Sequence, residues 1–258
     1  AGGHNAILIG PPGAGKTTLV ASYLEARKLP TFWYQLDAGD TDAAAFFSYL
    51  IELAEQLKRP KNARLPYLTP EYLSDVAGFS RRFFRTLFSW FPPQGVLVLD
   101  NCQEAATPIF HQILAIAAEE VPASARLIAV SRTQTPTELA RLKANAQLAE
   151  LRWEELKLTP DESIGILLRK GIRDESRAAE IHRAVDGWAG GLMLLAADTS
   201  GAASAHAMNL NGKEAVFDYF AGQILDRAPR AEREILLKTA LLSQVTPNAA
   251  VALSGDVN

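Results

Sequence analysis

Gly10-Pro11-Pro12-Gly13-Ala14-Gly15-Lys16-Thr17-Thr18 is the stretch that decides the fold. It satisfies the pattern G-x-x-x-x-G-K-[ST] and has the local setting that pattern requires, a strand before it and a helix after it. Ala6 to Ile9 is a short apolar run that reads as a buried strand, and Thr17 to Arg27 has helical composition. Glycines in such a loop let backbone N–H groups turn inward around phosphate oxygens, and the helix start adds the positive end of a dipole. Lys16 is expected to reach the β- and γ-phosphates of a nucleoside triphosphate. The Thr17 hydroxyl is expected to ligate Mg²⁺, and Thr18 to touch the α-phosphate. All nine residues from Gly10 to Thr18 are candidate nucleotide-binding positions, with ATP or ADP and Mg²⁺ as the ligands.

Outward from the loop, strands and helices alternate. Thr31 to Leu36 is aromatic and β-prone. A polar turn over Asp37 to Asp42 offers Thr41 or Asp42 as an N-cap, and Phe46, Phe47, Leu50, Ile51, Leu53, Ala54 and Leu57 then recur at helical spacing. Lys58 to Pro70 reads as a surface loop and Tyr72 to Phe91 as a helix. After the turn Pro92-Pro93-Gln94-Gly95, Val96 to Leu99 is a wholly apolar strand ending in Asp100. Pro108 to Glu120 is an amphipathic helix, Arg126 to Val130 a strand, Glu138 to Leu142 a short helix and Ala146 to Leu151 a last strand. Buried strands alternating with helices imply an α/β fold, a doubly wound parallel sheet of about five strands between helix layers, as in P-loop NTPases.

Beyond Trp153 the character changes to helices alone. Thr159-Pro160-Asp161-Glu162 opens one with a cap, Pro at the first position and acids in the first turn. Asp174 to Val185, Trp188 to Ala197, Ala215 to Leu225 and Ala231 to Leu242 follow, with Ser200 to Asn211 as a linker. The residues divide into a strand–helix unit over 1–155, a helical unit over 156–211 and a further helical stretch over 212–258, which a resemblance to a known family makes a nucleotide-binding domain, a helical lid and the start of a winged-helix-like domain. The chain opens on Ala rather than Met, and both ends read as cuts from a longer protein.

Composition narrows the function classes. Apolar residues are 48% and charged residues 21%, enough for a real core. The net charge of −3 gives no electrostatic footprint for nucleic acid, so any DNA contact is expected from a part not present here. Cys102 is the only cysteine, so no internal disulfide forms, in keeping with a cytoplasmic location. No apolar run is long enough to span a bilayer, and no signal peptide is visible. The four histidines lack metal-ligand spacing.

Asp100, at the tip of a buried strand beside the P-loop strand, is the candidate to hold magnesium with Thr17. The next residue is Asn101, and an amide cannot act as a general base where many such ATPases carry a second carboxylate. Glu104 either polarises the attacking water in its place or merely begins the next helix. Arg132, after Ser131 at the end of a strand, is placed to sense the γ-phosphate as a fixed positive charge. Lys16, Asp100, Glu104 and Arg132 thus form the candidate catalytic set. In Gly187-Trp188-Ala189-Gly190-Gly191-Leu192 the small residues allow close approach of a flat ring, making Trp188 and Ala189 candidate nucleotide contacts. Tight helix packing with Trp188 in the core is the other reading of the same segment.

Together these motifs resemble the STAND class of signal-transduction ATPases, in its MalT-like branch of large ATP-binding LuxR-type regulators. The resemblance runs through Gly10–Thr18, Trp33-Tyr34-Gln35-Leu36-Asp37, Leu97-Val98-Leu99-Asp100, Ser131-Arg132, Leu158 to Glu162, Gly187-Trp188 with Gly191-Leu192, and Phe217-Asp218-Tyr219-Phe220. It implies a switch in which ADP holds a monomer and ATP with an inducer permits self-association. It also implies a C-terminal sensor for that inducer and a separate DNA-binding domain, both outside this sequence; Asn101 departs from the family's double-acid form, so Mg-dependent hydrolysis is expected to be slow. Upstream residues that could contact adenine would precede Ala1. Two other functions fit the loop: a small-molecule kinase, which would need an acceptor base and a short arginine-bearing lid, and a non-hydrolysing scaffold with retained nucleotide.

Overall fold

A computed structural model describes residues 5–55, 57, 63–198 and 229–239. The chain divides into two compact units, Ala1–Lys157 and Leu158–Asn258. In the first, strands β1 (Asn5–Ile9), β2 (Thr31–Gln35), β3 (Gly95–Asp100), β4 (Ala125–Ser131) and β5 (Leu148–Leu151) form one sheet. Its order is β2-β3-β4-β1-β5, and every neighbouring pair is parallel. Helix α1 (Lys16–Ala26) follows β1; α2 (Ala43–Ala54) and α3 (Val76–Ser89) lie between β2 and β3; α4 (Pro108–Glu119) follows β3; α5 (Ala140–Ala144) precedes β5.

The period of two along a strand sorts side chains to opposite faces. Val96 and Val98 pack with Leu8, Ile128, Val130 and with Val20 and Leu24 of α1. Leu97 and Leu99 pack with Ile7, Leu127, Ala129 and the helices α2, α3 and α4. Every residue of β3 is buried, which is why the strand is apolar without alternation. This is the doubly wound α/β sheet the alternating pattern implies. One adjacency differs from expectation: β4 lies between the P-loop strand β1 and the Asp100 strand β3, so these two are not neighbours.

The α2–α3–α4 layer is held by aromatic rings. Phe47 stands 4.9 Å from Phe79 and 4.7 Å from Phe83 between ring centroids, with tilted or edge geometry in each case. Such pairs add to the burial of large side chains. Asp42 caps α2, accepting from the amides of Ala44 at 2.7 Å and Ala45 at 3.0 Å. Thr107 caps α4 ahead of Pro108.

Several boundaries move for local reasons. The helix expected over Tyr72 to Phe91 is a 3-10 turn, Pro70–Asp75, followed by α3. Asp75 caps α3 by accepting from the Gly78 amide at 2.8 Å, and a side chain at 78 would collide with that carboxylate. The short helix expected at Glu138 is a 3-10 turn, Thr137–Leu139, running into α5. β5 starts later than expected because Ala146 has a left-handed φ of 53°. A one-turn helix α6, Trp153–Leu156, was not anticipated.

In the second unit, α7 (Pro160–Arg169), α8 (Glu175–Val185) and α9 (Ala189–Asp198) pack around Leu167, Ala178, Ile181, Leu192 and Ala196. Thr159 and Glu162 form a reciprocal capping box on α7. A further helix spans Arg230–Thr239. The expected linker, the Ala215 to Leu225 helix and the Phe217–Phe220 motif lie outside the described residues, as does most of the expected winged-helix segment. Among the described residues no helix is long and apolar enough to cross a membrane.

Truncating the central ring tests the packing account. Phe47→Ala is expected to lower unfolding stability by about 3–5 kcal/mol, read from the denaturation midpoint of the whole chain.

Candidate functional site

Lys16 organises the loop. Its Nζ donates to the carbonyls of Gly10 at 2.7 Å and Pro11 at 3.0 Å, and the residue is 8% exposed. Gly13 and Gly15 have left-handed φ values of 71° and 79°, which glycine adopts without strain. Gly15 caps α1 by backbone alone, and the first helical amides have no partner within the helix. Burial, then the nearby positive charge of Arg132, depress the Lys16 amine to about 8, while Asp100 pulls the other way. The loop thus holds cationic charge in a place that favours an anion.

Asp100 ends β3 and is 2% exposed. It accepts from the Thr17 hydroxyl at 3.0 Å and 3.3 Å on its two oxygens, and from the Asn101 amide at 2.9 Å. Pro12, Gly13, Ala14, Gly15, Lys16, Thr17, Thr18, Asp100, Asn101 and Arg132 line one cavity of about 210 Å³. Most of the residues proposed from sequence are therefore brought together. Gly10 and Pro11 instead serve the cavity through the carbonyls that hold Lys16.

Asn101 adopts a left-handed conformation, φ 59° and ψ 40°, which Asn tolerates better than most residues. Its backbone turns the chain sharply into a 3-10 turn, Cys102–Ala105. Glu104 sits on that turn, exposed and outside the cavity lining, and its carboxylate accepts from Gln103 Nε2 at 3.1 Å. Gln103 was not singled out from sequence, because an isolated amide after a strand end matches no motif. It also accepts from the Arg132 amide at 3.1 Å. Cys102 is buried, donates to the Leu99 carbonyl at 3.3 Å, and has its thiol pushed up to about 12, chiefly by burial. It is not a nucleophile.

Trp188 and Ala189 stand in the second unit. Trp188 is 7% exposed. Its ring and Val185 occupy the space a Cβ on Gly191 would need, so the glycine is required by close packing inside this unit. Gly187, with φ 75°, makes the turn into α9.

The arrangement fits a magnesium nucleotide. Thr17 and Asp100 offer a hydroxyl and a carboxylate in contact, the pair that would hold Mg²⁺ arriving with the phosphates. Among the described residues no group of three or more His, Cys, Asp or Glu could hold a metal by itself. Lys16 and Arg132 would neutralise phosphate oxygens, and the bound metal would draw charge from the β- and γ-phosphates.

Loop, strand order and hydroxyl–carboxylate pair define a P-loop nucleoside triphosphatase domain. Within that class the chain belongs to the AAA domain family, whose model matches residues 2–142. Among solved structures it is similar to the Aeropyrum pernix Orc1 protein in complex with DNA, at 14% identity and a TM-score of 0.47. That match covers 93% of this chain and 66% of the other, so the chain spans just under two thirds of that relative. It is also similar to a variant of Thermotoga maritima RuvB, at 15% identity, TM-score 0.47, covering 96% of this chain and 73% of that one.

The depressed Lys16 amine gives a pH dependence. Bound phosphate would raise its pKa, so the complex holds more protons than the free domain. Affinity is then full below about pH 8 and falls as pH rises through that value. Calorimetric titration of nucleotide at pH 8.5 in buffers of different ionisation enthalpy should show proton uptake, absent in Lys16→Met if residual binding persists.

Proposed function

We propose that this chain is the ATP- and ADP-binding switch module of a signal-responsive regulator of the STAND class, close to the MalT-like LuxR-type branch. Its ATP hydrolysis is slow and needs Mg²⁺. Its ATP state self-associates. An inducer and DNA are engaged by parts of the regulator other than these residues, and the protein works in the cytoplasm. The observation that carries the slow-turnover reading is Asn101: an amide lines the cavity immediately after Asp100, where a base could activate water. Glu104 lies outside the lining and is tied to Gln103, which supports its standing apart from the chemistry in this conformation.

Arg132 supports the switch. It lines the phosphate cavity from the end of β4, so a γ-phosphate would gain a charge contact that ADP lacks. A ligand shifts a conformational balance only through such differential affinity. Lys16, Thr17 and Asp100 hold the nucleotide and metal, with Gly10–Thr18 as the cradle. Trp188 and Ala189 are proposed to bring the helical unit to the nucleotide in one of its states.

The same amide favours one other reading, a scaffold that retains nucleotide without turnover. Measurement of phosphate release separates them. Wild type should release phosphate slowly, and Asn101→Asp should accelerate release by about tenfold or more. No release from either protein, with ADP retained through purification, would establish the scaffold. Glu104→Gln with unchanged turnover would remove Glu104 from the chemistry. Sedimentation should give a larger species with ATP than with ADP, and identical profiles at saturation would sink the switch.

A further inference from the structure

Gln103 ties the tip of β3 to the tip of β4. Its Oε1 accepts the backbone amide of Arg132 at 3.1 Å. Its Nε2 donates to Glu104 at 3.1 Å and approaches the Asn101 side-chain oxygen at 3.4 Å. The orientation of this amide is fixed by chemistry. A backbone N–H can only donate and a carboxylate can only accept, so oxygen must face Arg132 and nitrogen must face Glu104. Two residues that line the phosphate cavity, Arg132 and Asn101, therefore meet with Glu104 on one planar group that does not itself line it.

We propose that Gln103 is a positioning residue that sets Arg132 for discrimination between a nucleoside triphosphate and diphosphate. Arg132 follows the last residue of β4 and is exposed, and among the described residues its backbone amide donates only to Gln103. Beyond it, Thr133 turns back by donating its amide to the Ser131 hydroxyl at 3.2 Å. The Gln103 bond fixes the backbone at residue 132, from which the long guanidinium side chain reaches the cavity. Because the same amide grips Asn101 and Glu104, a shift of Arg132 toward a γ-phosphate is transmitted to the turn after Asp100. An amide suits this work because it accepts on one side and donates on the other.

This inference rests on the nucleotide reading, and its test separates the two. Equilibrium binding of ATP and of ADP with Mg²⁺ is measured for wild type, Gln103→Met, Gln103→Glu with Glu104→Gln, Arg132→Ala and the Gln103→Met/Arg132→Ala double variant. The ratio of the two affinities is the readout. Gln103→Met should lower the ATP preference by about tenfold, close to Arg132→Ala, with no further loss in the Gln103→Met/Arg132→Ala double variant. Gln103→Glu, made together with Glu104→Gln so that no second carboxylate faces position 104, keeps the acceptor for the Arg132 amide with a donor beside it and should retain most of the preference. A purely structural role would weaken both nucleotides alike and leave the ratio unmoved, which would overturn the proposal. So would losses that add in the Gln103→Met/Arg132→Ala variant, or a wild-type ratio of one. Wild type that binds neither nucleotide overturns the nucleotide reading itself and this inference with it. Should Gln103→Met fail to fold, Gln103→Ser takes its place, too short to reach Arg132.

Discussion

Thr17 stands in the first turn of the helix that follows β1 and Asp100 ends β3, and these two strands are not neighbours because β4 separates them. The contact of Thr17 with Asp100 at 3.0 Å exists only because all the strands run the same way and end on one edge. A carboxylate as buried as Asp100 costs several kcal/mol unless hydrogen bonds satisfy it. The Thr17 hydroxyl and the Asn101 amide supply those bonds. Everything else at the site is arranged around this pair: the loop that precedes Thr17, the left-handed turn that follows Asp100, and Arg132 at the tip of the strand between them.

Charge is distributed unevenly around that pair. Lys16 is held by carbonyls rather than by an acid, and Arg132 lowers its proton affinity further. Two cations thus share a cavity with one buried carboxylate. A domain built for rapid chemistry would also need a base aimed at water, and the position after Asp100 holds an amide instead. That absence of a base is what the proposed reading, of a site that recognises phosphate more than it breaks it, rests on.

The inner strands of the sheet were legible because they are buried on both faces. Val96 to Leu99 needs no alternation when helices cover each side, and the loop at Gly10–Thr18 announces its own strand and helix. Strand order was not legible, since nothing in the residues of β4 says that it inserts between β1 and β3. Boundaries failed where a side chain captured the backbone: Asp75 ended a 3-10 turn and started α3. At the site, Lys16, Thr17, Asp100 and Arg132 have motif or strand-end positions that point to them. Gln103 does not, because its importance lies in where a left-handed Asn101 aims the following turn. The GWAGGL segment had two readings from sequence, and the contact of Gly191 with Trp188 gives the packing one a physical basis.

Cys102 sits one residue beyond that left-handed turn, sealed in the core with its proton firmly held. A thiol reacts as its thiolate and only where reagent can reach it. As the sole cysteine of the sequence, it would be slow toward alkylating dyes while the sheet is closed and would react once the turn after β3 opened. The native chain therefore carries its own clock for opening of the nucleotide edge. A single cysteine added elsewhere on the surface would take a fluorophore without competition from the interior.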